Sequence, residues 1–492
     1  MATKAAAETT TGLRRNAIGL REASFQSITD MAPGAAIAAS IPAGVLYAGG
    51  SLPLAVVFAL VACLFCASSI GLLAREMPAA GSLATYAARG LHPSIGFLVA
   101  WGYVLVGFLI PPLVLLQLGF TTAATLNSEF SGYPANLWWP WALLGAVIVL
   151  AAGFYGIRTS ARLGTVLGVF EIGVFLVLAV FLVVHAGSSN TASVFTTKYT
   201  PPGPFHGLVG VIGGSVYTIL AFGGFEGAAP LGEETRNPRR NIPRAIMLAT
   251  LLIGVLYVFT TYAIDVAFGP TQFVHFTPGT GAASWVGVAR SLYGAFWFFV
   301  FLAIVNSTIA NANAGVNVSS RTAYAMGRIG AFPRFLAQVH HKHRSPALAI
   351  LTGFVVTVAV TLGLGLGYDP VTAFIMVATA LVIVLVAIYI LMNAACIGFF
   401  ARRGHGFNPL LHLVIPVLGI AVFIPAWLTS AGLTVFSFVA PLAPPYSYMG
   451  PGVAGFMLVG VVYLVYLYRR DPQRVVEVGL VHTDPLEEYP DE

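Results

Sequence analysis

Long apolar stretches separated by short polar or Gly/Pro-rich turns make up most of this 492-residue chain. A helix that crosses the hydrocarbon core of a bilayer, about 30 Å thick, needs about 20 such residues. Twelve stretches reach that length, over residues 25–48, 52–74, 94–125, 137–155, 162–185, 207–230, 245–267, 285–320, 347–366, 370–400, 411–433 and 452–468. The pattern therefore predicts an all-α integral membrane protein with twelve transmembrane helices.

The positions of the positive charges indicate how these spans are oriented. Only 9% of the residues are charged and 58% are hydrophobic, which excludes an ordinary soluble domain and a nucleic-acid-binding protein. With a cytoplasmic N terminus, 22 of the 24 Lys and Arg residues fall in alternate segments on one side, and Lys198 and Arg290 are the exceptions. Because basic residues collect on the cytoplasmic side, we expect a multi-pass protein of the cytoplasmic membrane with both termini inside.

Two of the predicted spans combine a carboxylate with residues that interrupt helices. The first span reads SITDMAPGAAIAASIPAG, in which Asp30 shortly precedes Pro33 and Gly34. The sixth reads SVYTILAFGGFEGAAPLGEE, in which Glu226 lies between glycines. Pro and Gly weaken a helix, and an interrupted backbone is tolerated within lipid only where protein or water satisfies its polar groups. Both spans are therefore predicted to be interrupted near the middle of the membrane, unless they are merely kinked packing helices.

The separation of the two interruptions by five spans predicts the domain organisation. Transporters with inverted repeats bind their substrate where two such helices meet near the midplane. We expect two inverted five-helix repeats followed by two further helices. The predicted units are a cytoplasmic tail (1–24), the first repeat (25–185), the second repeat (207–400), helices 11 and 12 (411–468) and a second cytoplasmic tail (469–492).

The ends of the half-helices supply the predicted substrate site. Such ends offer amide donors to an anion and carbonyl acceptors to a cation, and a zwitterion matches both. Asp30 and Glu226 can bind an amine or hold local backbone, while Phe222 and Phe225 can close over a substrate or simply pack in the core. The candidate substrate-binding residues are Asp30, Met31, Ala32, Pro33, Gly34, Ala35, Ala36, Ile37, Phe222, Gly223, Gly224, Phe225 and Glu226.

Acids and amides elsewhere in the spans suggest coupling and a polar path. Desolvation favours the neutral form of a carboxyl group, so Glu171 in span 5 and Glu226 are candidates for proton coupling, with a structural role as the alternative. Span 8 carries a polar stripe that either lines the permeation path or packs helices through amide contacts. Its members at roughly helical spacing are Asn306, Asn313 and Asn317. Asp265 and Asp369 lie near outer helix ends, where we expect solvated side chains.

No cofactor or metal site is expected, and the spans show no nucleophile–base or metal-ligand set that would indicate an enzyme. His340, His341 and His343 lie in a short loop without an accompanying Cys or acid, so we do not expect them to bind a metal.

Three segments resemble the amino acid–polyamine–organocation (APC) superfamily of secondary transporters. They are FGGFEGAAPLGEETRNPRRNIPRAI (222–246), EMPAAGSLATYAARGLHPSIGFLVAW (76–101) and SSRTAYAMGRIGAFP (319–333). The resemblance covers essentially the whole chain and implies a LeuT-like fold, with the substrate bound where spans 1 and 6 meet. It also implies proton-coupled or exchanging transport. Several proton-coupled relatives carry a Lys in span 5, where this chain has Glu171.

The leading hypothesis is a secondary active transporter of amino acids that works by alternating access. The alternative is a transporter or exchanger of polyamines or other organic amines. Asp30, Glu171 and Glu226 motivate that alternative, because they are three intramembrane acids without a compensating Lys. The expected partners are a small-molecule substrate, a proton and the lipid bilayer, but no nucleic acid, for a protein that is a monomer or a weak homodimer.

Overall fold

A computed structural model of the protein describes residues 18–78, 81–130, 132–155, 161–232, 234–279, 281–328, 330, 332–338, 346–403 and 406–477. Most of the predicted N-terminal tail, the end of the C-terminal tail and the three histidines His340, His341 and His343 lie outside this part of the chain.

Twelve α-helices of at least twelve residues lie in the described part, and we number them in chain order. They are α1 (Leu20–Met31), α2 (Leu52–Glu76), α3 (Pro93–Glu129), α4 (Trp139–Tyr155), α5 (Ala161–Ala186), α6 (Leu208–Ala221), α7 (Pro238–Phe268), α8 (Trp297–Arg328), α9 (Ala347–Gly367), α10 (Pro370–Arg403), α11 (Ile415–Ala431) and α12 (Met449–Arg470). Shorter helices cover Ser82–Gly90, Trp285–Tyr293 and Pro472–Glu477.

The described part of the chain is helical and contains no β-strand, so the all-α prediction is confirmed. Within the described residues, ten helical runs are long and apolar enough to cross a membrane. One of them, Leu20–Glu76, covers the first two predicted spans, and the predicted fourth span corresponds to the shorter apolar helix Trp139–Phe154. The protein is a multi-pass membrane protein, while the number of twelve spans and the inverted repeat stay predictions.

The two interruptions lie close to the predicted places. After α1, Ala32 adopts a left-handed conformation (φ 46°), and the chain resumes in the short helical pieces Pro33–Ala35, Ala36–Ser40, Ile41–Ala43 and Val45–Ala48. The sequence placed the interruption at Pro33 and Gly34, one residue too late, because Pro suits the first turn of a new helix and here begins one. After α6, Gly224 has φ 107° and begins the 3-10 segment Phe225–Leu231.

The helix bundle has a packed interior and an apolar exterior. In the interior, α3 packs against α8 and α10, and α2 packs against α7. Toward the outside, large apolar side chains remain exposed, among them Val184 (75%), Leu366 (65%) and Val166 (63%). A soluble protein seldom exposes so many large apolar side chains, so this surface is suited to lipid.

Candidate functional site

The two interrupted helices meet at Asp30 and Gly224. A Cβ atom on Gly224 would lie 2.5 Å from the carbonyl carbon of Asp30, and one on Gly227 would overlap the Asp30 carboxylate. The positive φ of Gly224 is also a conformation that only Gly adopts readily. Glycine at 224 therefore allows both the turn and the close approach of α1.

Side chains from other helices satisfy the carbonyl groups that the interruptions release. The Asn311 amide of α8 donates to the Asp30 carbonyl (3.1 Å), and the Gln117 amide of α3 donates to the Ala35 carbonyl (2.9 Å). The Tyr257 hydroxyl of α7 lies 3.2 Å from the Met31 carbonyl and 3.0 Å from the Ala221 carbonyl. The single hydroxyl hydrogen is thus shared between one carbonyl of each interruption. Within lipid such protein groups take the place of water as donors.

Replacing Tyr257 by Phe should therefore weaken both interruptions at once. The loss of a hydroxyl that leaves buried carbonyl groups without a donor costs about 1–3 kcal/mol, so we expect a lower apparent melting temperature and a roughly tenfold slower uptake. Thermal unfolding and uptake in proteoliposomes measure the two effects. Tyr262→Phe is the matched control, because it lies on the same helix and removes a bond to Asn190 away from the interruptions. Equal effects of both substitutions would contradict the assigned role.

Glu226 is buried (2% exposed) in a set of three donors. The Tyr103 hydroxyl donates to Oε1 (3.2 Å), and the Tyr389 hydroxyl (2.9 Å) and the Gly224 amide (3.2 Å) donate to Oε2. An ionised carboxylate accepts hydrogen bonds and cannot donate, so this arrangement suits the ionised form. The contacts bring α3, α10 and the second interruption together at one carboxylate.

A cavity lies between these groups. Its volume is about 70 Å³, which is room for a few water molecules. Its polar side chains are Asp30, Ser40, Tyr103, Glu226 and Asn311. The predicted residues Met31, Ala32, Ala35, Ala36, Gly223 and Gly224 also line it, together with apolar side chains of α3, α6, α8 and α10. Two carboxylates thus share a small and otherwise largely apolar space.

Other predicted site residues lie behind the cavity wall. Pro33, Gly34 and Ile37 are buried but do not line the cavity, and a Cβ on Gly34 would lie 3.1 Å from both the Ala303 carbonyl oxygen and Ser307 Cβ of α8. Phe222 packs against Tyr257 and Phe225 against Tyr389, with ring centroids 5.2 and 5.0 Å apart. In this conformation the two Phe rings belong to the packed core.

Glu171 of α5 forms a second buried polar group, away from the cavity lining. Its side chain is 4% exposed and its Oε2 accepts a hydrogen bond from the Asn306 amide (3.2 Å). Of the other predicted members of the polar stripe, Asn313 is half-buried and Asn317 is exposed, and neither lines the cavity. None of the three predicted stripe members therefore lines the cavity: Asn306 contacts Glu171, and the amide of α8 that lines the cavity is Asn311.

Asp265 corrects one expectation. The sequence predicted a solvated side chain at the outer end of α7, but the Asp265 side chain is fully buried and neither of its carboxylate oxygens has a partner in the described structure. Val194 and Tyr199, which belong to the loop between α5 and α6, pack with Val266 and Tyr262 at this end of the helix. Asp369, in contrast, is exposed and accepts hydrogen bonds from the Val371 and Thr372 amides at the start of α10.

Apolar substitutions of Asp265 and Asp369 should shift the apparent melting temperature in opposite directions. Asp265→Val removes a buried carboxyl group without a partner, whose desolvation costs about 1–3 kcal/mol, so the apparent melting temperature should rise by a few degrees. Asp369→Ala removes a helix cap worth about 1 kcal/mol and should lower it. Thermal unfolding of the detergent-purified variants measures both shifts. A lower melting temperature for Asp265→Val would show that this carboxyl group has a stabilising partner.

Sequence reasoning missed Tyr103, Gln117, Tyr257 and Tyr389 and did not select Asn311. Tyrosines in membrane helices usually lie at the membrane interface. The position of these three tyrosines well inside apolar stretches is therefore a signal that could have marked them. Their targets are more than 30 residues away along the chain, so no local spacing identifies the pairs.

Comparison with known proteins adds an independent line of evidence. A family model described as "Amino acid permease" matches residues 18–477. The low-affinity putrescine importer PlaP of Escherichia coli (strain K12) is 31% identical over 322 residues, which cover 64% of this chain and 68% of that protein. The branched-chain amino acid permease BcaP of Bacillus subtilis (strain 168) is 26% identical over 370 residues, or 71% of this chain and 75% of the relative. The histidine permease HisP of Lactococcus lactis subsp. cremoris is 27% identical over 309 residues, with coverages of 58% and 60%.

Proposed function

Because the chain belongs to the amino acid permease family and is a membrane transporter rather than an enzyme, we propose that it transports small solutes that carry an ammonium group. Organic amines are the first candidate and amino acids the second. The transporter works by alternating access in the cytoplasmic membrane, with both termini inside, as a monomer or weak homodimer.

The charge of the cavity carries this proposal. Asp30 and Glu226 both line it, and none of the described residues that line it is basic. A buried charge is costly unless it is paired. An ammonium group supplies a positive charge next to the buried Glu226, whose hydrogen-bond donors Tyr103, Tyr389 and the Gly224 amide are neutral. The apolar side chains around the cavity suit a hydrocarbon stem.

Each acid has a distinct part in binding. The Glu226 carboxylate is held in place by Tyr103, Tyr389 and the Gly224 amide, so it presents a fixed negative charge. Asp30 Oδ1 accepts a hydrogen bond from the Gln26 amide (2.9 Å), and its side chain is only partly buried. We propose that the ammonium group binds next to both acids, with Asp30 as the more adaptable partner.

One observation favours amino acids as the second candidate. The helical segment that resumes at Pro33 begins beside the cavity, where Ala32, Ala35 and Ala36 form part of the lining. Pro33 has no N–H and the Ala36 amide donates to the Ala32 carbonyl (2.9 Å), so the first-turn amide beside the cavity that suits an anion is that of Ala35. A substrate carboxylate can therefore bind there while its ammonium group binds the acids.

Uptake by proteoliposomes tests the proposal. The purified protein should take up labelled putrescine saturably, and unlabelled amines should compete, whereas protein-free liposomes should not take it up. Uptake of an amino acid that putrescine does not inhibit would replace the first candidate by the second. Absence of uptake for amines and for amino acids alike would overturn the proposal.

Of the two predicted coupling residues, Glu171 and Glu226, we propose Glu171, since Glu226 is assigned to substrate binding. Glu171 is buried with Asn306 as an amide donor and does not line the cavity, so its loss should spare substrate binding. We expect Glu171→Gln to abolish uptake driven by a proton gradient while exchange of internal for external substrate continues within about twofold. Parallel gradient-driven and counterflow assays measure the two activities. Concentrative uptake at the wild-type level in this variant would rule out Glu171 as the coupling group.

A further inference from the structure

A second cavity lies at the end of the bundle that the sequence predicts to be cytoplasmic. It offers about 610 Å³ to water and is lined by side chains from the C-terminal ends of α2 and α10 and from the first turns of α7. Its charged residues are Arg75, Glu76, Arg239, Arg240, Arg244 and Arg403. The cavity is separate from the one that holds Asp30 and Glu226.

The charges in this cavity are unbalanced. Arg403 forms an ion pair with Glu76, which joins α10 to α2. Within the described part of the chain, none of the other four arginines of the cavity forms an ion pair. Five arginines and one glutamate therefore leave a net charge of about +4 around one concave space, which concentrates anions there.

The walls of the cavity are formed by firmly packed helices. α2 and α7 pack along each other, and a Cβ on Gly71 of α2 would lie 3.4 Å from Pro243 of α7, which also lines the cavity. Next to Pro243, Ile242 and Ala245 are completely buried. The arginines thus project from a fixed platform, and a ligand that binds them need not order the backbone.

The face of α7 that carries two of these arginines continues as an apolar surface. Arg240 and Arg244 are followed at the same four-residue spacing by Leu248 and Leu252, and residues four apart lie on one helix face. Leu248 is 43% exposed and Leu252 59% exposed. A positively charged cavity is therefore continuous with a hydrocarbon surface along a single helix, which is the arrangement that an anionic lipid would match.

We infer that this cavity binds a phosphate-bearing anion, the head group of an anionic phospholipid, with the acyl chains along Leu248 and Leu252. Guanidinium groups bind phosphate oxygens in bidentate fashion, and basic pockets between helices at the cytoplasmic side suit such head groups. The inference depends on neither the transported substrate nor its site. A soluble polyphosphate shares the phosphate chemistry but would not use the leucines.

Thermal unfolding of the detergent-purified protein tests this inference, because a ligand that binds only the folded state raises its apparent stability. Phosphatidylglycerol or cardiolipin should raise the melting temperature, and phosphatidylcholine should not. The double variant R240Q/R244Q should lose the rise. The control variant R469Q/R470Q removes two arginines from α12 at the end of the bundle where the cavity lies, and it should keep the rise in melting temperature. An equal rise in both variants, or no preference for anionic over zwitterionic lipid, would overturn the site.

Two further experiments address a soluble phosphate as the ligand and a double variant that does not fold. An equal rise with inorganic pyrophosphate alone would support the phosphate site but overturn the lipid as its ligand. If R240Q/R244Q does not purify in folded form, native mass spectrometry of R75Q and of the wild type decides the matter. Loss of retained phosphatidylglycerol in R75Q would support the site, and unchanged retention would overturn it.

Discussion

Glu226→Gln should reduce uptake and substrate affinity by roughly 100- to 4,000-fold. The carboxylate accepts hydrogen bonds from Tyr103, Tyr389 and the Gly224 amide, whereas a glutamine replaces one acceptor oxygen by an NH₂ donor. One of the three donors would then face another donor, and the ammonium group of the substrate would lose a counter-charge. Breaking a buried charge pair costs about 3–5 kcal/mol, and each 1.4 kcal/mol is a factor of ten.

Equilibrium binding and initial uptake rates in proteoliposomes measure this effect. Glu129→Gln is the matched control, because it removes an acid that pairs with Arg290 (3.3 Å) and does not line the cavity. The control should transport at close to the wild-type rate. If Glu226→Gln elutes as a folded protein and still binds substrate with wild-type affinity, Glu226 is a structural acid and the proposed site is wrong.

Gly224→Ala should abolish transport and lower the yield of folded protein. An alanine pays about 1–2 kcal/mol in the left-handed region, and its Cβ would also lie 2.5 Å from the Asp30 carbonyl carbon and 2.6 Å from the carbonyl oxygen. The neighbouring atoms are backbone and cannot swing aside, so α1 must move away from the second interruption. That movement would separate Asp30 from Glu226.

Two other glycines separate the two causes of the Gly224→Ala effect, which are the positive φ and the contact with Asp30. Gly432 also has a positive φ (75°), but a Cβ there would have no neighbour within 4 Å. Gly432→Ala therefore measures the conformational cost alone. Gly455 in α12 has open space and carries no positive φ, so Gly455→Ala should be neutral. We expect the folded fraction in size-exclusion profiles and the uptake rate to fall from Gly455→Ala to Gly432→Ala and further to Gly224→Ala. Equal losses in Gly432→Ala and Gly224→Ala would show that the close contact with Asp30 is unimportant.

The sequence was informative where local chemistry decides the structure. Long apolar stretches predicted the helices, and the Pro and Gly residues near Asp30 and Glu226 predicted both interruptions. The first prediction was one residue late, because the left-handed conformation falls on Ala32, a residue type that gives no local signal for it. Pro33 instead begins the next helical segment.

Long-range contacts could not be predicted in the same way. Tyr103 and Tyr389 reach Glu226 across 123 and 163 residues, and an isolated tyrosine in an apolar span has no pattern that indicates its target. Asp265 was expected to be solvated because it lies near a helix end. It is nevertheless fully buried. The neighbouring Val266 packs with Val194 of the loop between α5 and α6, and such tertiary packing has no local signal in the sequence.

The most direct test of the account is substrate protection of a cysteine placed in the cavity. The native cysteines Cys63, Cys66 and Cys396 are completely buried, so a hydrophilic thiol reagent should report mainly on an introduced residue. Ala314 lines the cavity, and Ser189 is exposed outside it. We predict that a saturating concentration of the transported solute slows labelling of Ala314→Cys at least tenfold and leaves Ser189→Cys unchanged. Unchanged labelling at Ala314→Cys, in a variant that still takes up the solute, would contradict a substrate site between the two interrupted helices.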